Sequence, residues 1–143
     1  MFRLDPAFLA TSDALASLAL SEARLQLDAR FPWIVLIPRI EGAVELEYLS
    51  VEERAMLVAE VVDAGEAVRA IGMALGRPVE KLNIGQLGNI TRQLHVHVVG
   101  RRADDACWPG PVWGQGAAEA YDAARLAAAV DAANASLTHS RGS

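Results

Sequence analysis

Apolar and polar residues alternate or cluster in distinct ways in the first third of the chain, and these patterns predict two strands. Residues 23–29 alternate between polar and apolar side chains, which is typical of a half-buried strand. Residues 33–37 form a continuous apolar run of β-forming residues that Pro38 ends, which indicates a strand buried on both faces. Because only residues 30–32 separate the two segments, we predict that they form a hairpin.

The middle of the chain has the spacing of a long helix. Ser50 and Glu53 match the capping box, in which the serine caps the helix and the glutamate reaches back to it. The helix is predicted to end near residues 72–76, with Pro78 beyond. Apolar residues recur behind the cap at helical spacing: Leu57, Val58, Val61, Val62, Gly65, Val68 and Ile71.

The remaining segments complete a fold of the α+β class. Asp5 and Pro6 open a short helix as N-cap and first helical residue. Residues 81–87 and 93–101 have strand patterns. The last helix is predicted over residues 117–135, with an apolar side formed by Tyr121, Leu126 and Val130. We therefore predict a mostly antiparallel sheet of about five strands with the long helix across one face and a C-terminal helix.

Length and composition favour one globular domain, which we place at residues 1–137, followed by a flexible tail at 138–143. The chain has 143 residues, of which 52% are hydrophobic and 22% charged, and this excludes a disordered protein. The net charge of −5 argues against general affinity for nucleic acid but leaves room for a small phosphate ligand. The single cysteine, Cys107, excludes an intramolecular disulfide and a cysteine-based structural zinc site. Without a membrane span or a signal-peptide pattern, the expected location is the cytoplasm.

Candidate chemistry is concentrated in residues 93–99, which read Gln-Leu-His-Val-His-Val-Val. On a strand, Gln93, His95 and His97 share one face, while the apolar residues between them face the core. Neutral imidazole is a nucleophile near pH 7, and protonated imidazole stabilises a phosphoryl oxyanion, so two adjacent rings suit phosphate chemistry. Two other interpretations remain open. The histidines can be polar residues on a solvated sheet face, or they can bind a metal, for which nearby glutamates would have to supply further ligands.

The motif and its surroundings resemble the histidine triad (HIT) superfamily of nucleotide hydrolases and transferases. The family motif is His-φ-His-φ-His-φ-φ, where φ is apolar, and residues 93–99 align with it. The resemblance is to the small homodimeric nucleotide-binding branch and extends over most of residues 20–115. It is carried by Trp33-Ile-Val-Leu-Ile-Pro-Arg39, Leu82-Asn-Ile-Gly85, Gly88-Asn89, Arg101 and Trp108-Pro-Gly110.

The resemblance implies roles for individual residues. His95 matches the histidine that attacks the α-phosphate and forms a nucleotidyl-histidine intermediate. His97 matches the histidine that contacts phosphate and leaving-group oxygens, and Asn83 and Asn89 match positions that hold ribose and phosphate oxygens. The implied substrates are dinucleoside polyphosphates or nucleoside phosphoramidates. We expect that no cofactor is required, that magnesium accompanies only a polyphosphate substrate and that no metal belongs to the site. From the charge and the absence of a membrane span, we expect neither a nucleic-acid polymer nor a membrane as a partner.

Two residues that follow the motif are further candidates for nucleotide contacts. Arginine forks suit phosphate, so we select Arg101, although surface arginines are mostly solvated. Trp108 lies in the segment that reaches toward the partner site in the homodimers of the family. Both Trp108 and Trp113 can stack on a ligand, pack a dimer interface, or simply anchor their loop.

The sequence departs from the family pattern at three positions. Gln93 replaces the first histidine, Glu41 stands where the dimeric branch often has a fourth, and Ile90 stands where Ser or Thr is usual. Because a glutamine amide donates and a carboxylate accepts, we predict a hydrogen bond between Gln93 and Glu41 that supports the nucleophile. No change removes the nucleophile, so we expect an enzyme. The alternative is a dimeric nucleotide-binding or interaction protein with weak or no turnover.

Overall fold

The structure is a computed structural model that describes residues 1–141. The main elements in chain order are α1 (Pro6–Thr11), β1 (Ser12–Ser17), β2 (Ser21–Gln26), β3 (Trp33–Pro38), α2 (Val51–Ala74), β4 (Lys81–Gly85), β5 (Val96–Arg101) and α3 (Ala123–Arg141). The strands form one antiparallel sheet in the order β1-β2-β3-β5-β4. This arrangement confirms the predicted α+β class and the predicted hairpin, which β2 and β3 form.

The two faces of the sheet are covered differently because side chains alternate along each strand. One face packs against α2 and α3, where Ile34, Leu36 and Val98 meet apolar residues of both helices. The other face carries Trp33 and Val99, together with the buried residues Phe8, Phe31, Val35, Ile37 and Val112. His97 pairs with Val35 of β3 and therefore belongs to this second face.

The helix signals in the sequence are confirmed at the atomic level. Ser50 Oγ accepts from the Glu53 amide at 3.1 Å, and Glu53 Oε1 accepts from the Ser50 amide at 2.9 Å. The helix ends at Ala74, inside the predicted window. Asp5 caps α1 by accepting from the Ala7 amide, with Pro6 in the first turn.

Several boundaries differ from the prediction for reasons that involve distant residues. Strand β1 was not predicted, because its sequence, Ser-Asp-Ala-Leu-Ala-Ser, lacks β-branched and aromatic residues, and it is a strand because it pairs with β2. Strand β5 begins at Val96 and not at Gln93, since the Leu94 amide donates to the Ala43 carbonyl outside the sheet.

The last helix lies further along the chain than predicted. The residues before it run along the loop after β2, where the Ala29 amide donates to the Glu119 carbonyl at 2.7 Å. The helix then begins at Ala123, where Asp122 Oδ1 accepts from the Arg125 amide. It continues to Arg141, so residues 138–141 of the predicted flexible tail are helical, while 142–143 lie outside the described residues. No helix within residues 1–141 has the length and apolar character needed to cross a membrane.

Candidate active site

A cavity of about 540 Å³ borders both predicted histidines on the sheet face away from α2 and α3. His95 is 4% exposed and His97 is 8% exposed, so both rings are held by protein yet line the cavity. The volume lies within the range of small-molecule sites. Four chain segments supply the remaining wall: Ala7, Phe8 and Thr11; Gln26; Leu87, Asn89, Ile90 and Thr91; and Trp113 with Gly114.

The hydrogen bond of His95 defines which of its nitrogens is free. His95 Nδ1 lies 2.6 Å from the Gln93 carbonyl oxygen. A carbonyl oxygen can only accept, so Nδ1 carries the proton and donates it, and Nε2 keeps an unshared electron pair. Burial lowers the pKa of His95, against the opposing effect of this hydrogen bond. His95 is therefore a neutral imidazole at pH 7, with the nucleophilic atom at Nε2.

His97 has the complementary arrangement. The indole Nε1–H of Trp33 donates to His97 Nδ1 at 3.0 Å, and because an indole nitrogen only donates, the proton of His97 is on Nε2. Burial, with a smaller effect from His95, lowers the pKa of His97 to about 3. His97 thus offers an N–H without the positive charge that the sequence interpretation gave it. The two ring centroids are 4.9 Å apart at an interplanar angle of 78°.

Aromatic rings fix the orientation of both histidines. Phe8 meets His95 edge-on, with a centroid distance of 4.9 Å, and Trp113 lies 5.6 Å from His97. Trp113, whose role the sequence left open, therefore forms part of the cavity wall and also packs against Trp33. Gly85 allows this packing, because a Cβ there would lie 3.2 Å from the Trp113 ring and 2.8 Å from a Leu87 methyl group.

The predicted hydrogen bond between Gln93 and Glu41 is wrong, because each side chain binds another group. Gln93 Oε1 accepts from the Asp5 amide at 2.8 Å, and its Nε2 donates to the Arg3 carbonyl at 2.7 Å. Glu41 is exposed and lies 2.8 Å from the amine of Met1. Arg3 and Asp5, which precede α1, are thus the hydrogen-bond partners of Gln93 that the sequence interpretation expected in Glu41.

Three other predicted site residues form a cluster outside the cavity wall. Arg101 is 1% exposed, and its guanidinium donates to Asn83 Oδ1 at 2.7 Å and to both carboxylate oxygens of Asp105 at 2.8 and 3.0 Å. The same guanidinium stacks on Trp108 and Phe31. These internal contacts do not favour nucleotide binding by Asn83, Arg101 or Trp108, and that role stays a prediction. The contacts of Arg101 with Asp105 and Trp108 hold the loop after β5, and this loop continues to Trp113 in the cavity wall.

The structure brings Asn89 into the cavity wall with residues that sequence reasoning missed. Thr91 places a hydroxyl-bearing residue beside Ile90, the position at which a hydroxyl was expected. The sequence therefore contained a hydroxyl-bearing candidate, Thr91, one residue after the position at which the family pattern has Ser or Thr. No sequence pattern indicated that Thr11 and Gln26 line the cavity. They reach it because Ser12 pairs with Gln26 in the sheet.

Among residues 1–141, the side chains that line the cavity include no Asp, Glu, Lys or Arg. Both histidines are neutral at pH 7. The described part of the chain also contains no group of three or more His, Cys, Asp or Glu side chains that could hold a metal ion.

Comparisons with known proteins point to one family. The family model of the HIT domain matches residues 9–104. Among solved structures, a histidine triad protein from Sinorhizobium meliloti is 37% identical with a TM-score of 0.86, and the match covers 96% of this chain and 98% of that one. One from Bradyrhizobium japonicum is 34% identical with a TM-score of 0.88, over 95% and 98% of the two chains.

A third histidine triad protein, from Marinobacter aquaeolei, is 30% identical with a TM-score of 0.87, and the match covers 97% of this chain and 98% of that one. The comparison with curated proteins gave no match. The family match spans more than half of the chain, and these three structures match nearly all of it. The chain therefore belongs to the HIT domain family.

Proposed function

We propose that this protein is a nucleotide hydrolase or nucleotidyl transferase that acts at a nucleotide α-phosphate, with His95 as the nucleophile. The HIT family in general supports nucleotide binding or hydrolase and transferase chemistry. The observation that carries the proposal is the hydrogen bond from His95 Nδ1 to the Gln93 carbonyl, which leaves Nε2 unprotonated on a ring that lines the cavity.

The proposed reaction has two displacements at phosphorus. In the first, the electron pair of His95 Nε2 forms a bond to phosphorus while the bond to the leaving group breaks and its electrons depart with that group. The leaving nitrogen of a phosphoramidate takes up a proton from solvent as it departs, so that it leaves as a neutral amine. The Nε2–H of His97 donates to an oxygen of the reacting phosphoryl group or of the leaving group. His95 is then substituted on one nitrogen and protonated on the other, and the Gln93 carbonyl stabilises the resulting positive charge.

The second displacement releases the nucleotide. Water, or another acceptor in a transfer reaction, attacks phosphorus as the P–N bond breaks, and the electrons of that bond return to Nε2. The acceptor loses its proton to solvent, and His95 regains its neutral form. Dividing one difficult displacement into two easier ones is the general advantage of a covalent intermediate.

The uncharged cavity favours a substrate with few negative charges. A polyphosphate chain carries several charges, and a buried charge without a partner is costly. We therefore expect the nucleoside phosphoramidate type to be preferred over dinucleoside polyphosphates. In this proposal no cofactor is required, and magnesium enters only as a counterion of a polyphosphate substrate.

The test is release of AMP from adenosine phosphoramidate and from diadenosine polyphosphate by wild type, His95→Ala and His139→Ala. The control His139 is an exposed histidine on α3. We expect His95→Ala to abolish release, His139→Ala to retain it, and mass spectrometry to detect an AMP adduct on His95 in the wild type. Unchanged release by the His95 variant would exclude the proposal.

A binding protein with weak turnover is the alternative, and a direct binding measurement separates it from an enzyme. AMP that binds the wild type without any release from either substrate would favour this alternative.

The homodimer that the family resemblance implies stays a prediction, and sedimentation equilibrium checks it.

A further inference from the structure

The indole N–H of Trp113 is a buried donor that the fold leaves unused. Within residues 1–141, Trp113 Nε1 is covered by protein and has no hydrogen-bond acceptor. The other indole beside the histidines, that of Trp33, donates to His97 Nδ1 at 3.0 Å. A buried donor without an acceptor destabilises a fold, because it has lost its hydrogen bond to water and gained none in return. A phenyl ring at this position would avoid that cost, so packing alone does not explain the indole.

A four-residue turn holds this donor at the cavity. Trp113 is the second residue of the turn, in which the Gln115 amide donates to the Val112 carbonyl at 3.3 Å. Gly114 follows with a φ of +75°, a positive value like that at the third position of a type II turn. Val112 is buried on the cavity side of the sheet, and Arg30 donates to the Gln115 carbonyl at 2.8 Å. Both ends of the turn are therefore fixed to the body of the protein.

The turn places the indole beside His97. The centroids of the two rings are 5.6 Å apart, and both side chains line the cavity. The indole fits there because Gly85 of β4 has no side chain, and a Cβ at Gly85 would lie 3.2 Å from the ring of Trp113. Asn83, which shares this face of β4 with Gly85, is bound to Arg101 Nη1 and does not line the cavity. Trp113, and not Asn83, therefore brings a side-chain donor to this part of the wall.

The chemistry of the wall makes such a donor useful to an anionic group. No Asp, Glu, Lys or Arg side chain of residues 1–141 lines the cavity. The oxygens of a phosphoryl group must therefore be bound by uncharged N–H and O–H groups. A hydrogen bond to an ionised acceptor is roughly twice as strong as one between neutral groups, so a single additional N–H has a measurable effect.

We infer that the indole N–H of Trp113 donates to a phosphoryl oxygen of the bound nucleotide, beside the N–H of His97. The inference rests on the proposed function, which places a nucleotide α-phosphate at His95 and His97. Because Nε1 is covered in the substrate-free protein, the ring has to turn toward the cavity as the phosphoryl group binds, and the cavity that it borders provides the space. The movement costs little, since no hydrogen bond of this N–H to the protein has to break.

Nuclear magnetic resonance tests this contact directly in the wild-type protein. The chain has three tryptophans and therefore three indole N–H signals, and the signal that Trp113→Phe removes is that of Trp113. We expect AMP to move the proton shift of this signal downfield, because the N–H gains a hydrogen bond to a charged oxygen. Adenosine, which has the same base and ribose but no phosphate, should not move it downfield.

Replacing only the nitrogen separates ligand binding from packing. Trp113→benzothienylalanine keeps the shape of the bicyclic ring but has sulfur in place of the N–H. We expect it to weaken AMP binding in titration calorimetry by about tenfold and to lower kcat/KM with adenosine phosphoramidate by a similar factor. Its melting temperature should be no lower than that of the wild type, because no hydrogen bond within the protein is lost.

Tyr48→Phe is the control for removing a polar group from an aromatic residue. Tyr48 is exposed and does not line the cavity, so this variant should retain wild-type AMP affinity and kcat/KM.

A Trp113 signal that AMP leaves in place, or that adenosine moves equally, would overturn the inference. Wild-type AMP affinity in the Trp113→benzothienylalanine protein would also overturn it. A loss of affinity together with a lower melting temperature would do the same, because the N–H would then have an acceptor within the protein. If the wild type releases no AMP from either substrate, the proposed reaction fails, while a downfield shift of Trp113 on AMP binding still supports the contact.

Discussion

The indole N–H of Trp33 donates to Nδ1 of His97 across two paired strands, at a distance of 3.0 Å. Trp33 pairs with Val99, which lies two residues after His97 on β5. The Trp33 and His97 side chains are therefore on the same face of the sheet. The bond assigns the proton of His97 to Nε2, while the Gln93 carbonyl assigns that of His95 to Nδ1. Two neighbouring imidazoles thus receive opposite roles from two different partners, one as electron-pair donor and one as proton donor.

Replacing Trp33 by Phe tests whether this bond matters for the proposed reaction. The variant keeps an aromatic ring but leaves His97 Nδ1 buried without its donor, so both tautomers become populated. We expect kcat to fall by about tenfold and the free energy of unfolding to fall by about 1–3 kcal/mol. Steady-state kinetics and urea unfolding measure the two effects.

Tyr121→Phe is the control for the loss of a polar group from an aromatic residue. Tyr121 packs against the core on the helix side of the sheet, so its hydroxyl is remote from the cavity wall. This variant should retain wild-type kcat. A Trp33→Phe variant as active as Tyr121→Phe would show that the indole N–H has no role in the reaction.

The lowered pKa values of the two histidines predict the pH dependence of stability. Each ordinarily titrates at 6.5, and burial lowers the folded-state value, for His97 to about 3. Below pH 6.5 the unfolded chain binds protons that the folded chain does not, so stability is fully present above that pH and falls as the pH decreases. Each such histidine costs up to about 1.4 kcal/mol per pH unit in this window.

Urea unfolding between pH 7.5 and pH 4.5 measures this loss. We expect His97→Asn to reduce the slope of stability against pH, and the exposed His139→Ala to leave it unchanged. The lowered pKa of His95 places the acidic limb of kcat/KM below pH 6.5, because His95 must be neutral to attack. An acidic limb at or above pH 6.5 would contradict the neutral state of His95.

Local patterns were sufficient to predict the parts of the fold that depend on neighbours in sequence. The capping box of Ser50 and Glu53 requires only a spacing of three residues, and both hydrogen bonds are formed. His95 and His97 were predicted on one face by strand alternation, and both line the same cavity. The same alternation places Val98 on the opposite face of the sheet, where it is buried in the core.

Contacts between distant residues were not predictable in this way. Gln93 binds Arg3 and Asp5, and Trp33 binds His97, across separations that depend on which strands pair and in which register. A change of one residue in register would exchange the two faces of the strand. The sequence therefore indicated the catalytic candidates but not the donors and acceptors that assign their protons.

The buried pair of Arg101 and Asp105 is expected to stabilise the loop that carries Trp113. Burial alone would raise the pKa of Asp105, but hydrogen bonds from Arg101 and from nearby backbone amides hold it at about 2. Asp105→Asn leaves a buried guanidinium without its counter-charge and should cost about 3–5 kcal/mol. A rise in KM should accompany this loss, since the loop forms part of the cavity wall.

The neighbouring Asp104 provides the control for this pair. Asp104 is exposed and binds Arg77 and Arg102 at the surface, so Asp104→Asn should leave both stability and KM close to wild type. Urea unfolding of the two variants makes the comparison. Equal stability of Asp105→Asn and Asp104→Asn would mean that the buried pair contributes no more than a surface one.

The uncharged cavity wall allows the proposed substrate preference to be changed by one residue. Gln26 lines the cavity at the end of β2, and Gln26→Lys places a cation there. A unit charge at the wall interacts more strongly with a polyphosphate chain than with a phosphoramidate of lower charge. We expect the ratio of kcat/KM for diadenosine polyphosphate to that for adenosine phosphoramidate to rise by about tenfold. Thr138→Lys adds the same charge at an exposed position on α3 and should leave the ratio unchanged. If both lysine variants change the ratio equally, net charge and not the cavity wall determines the preference, and the argument from the uncharged wall is wrong.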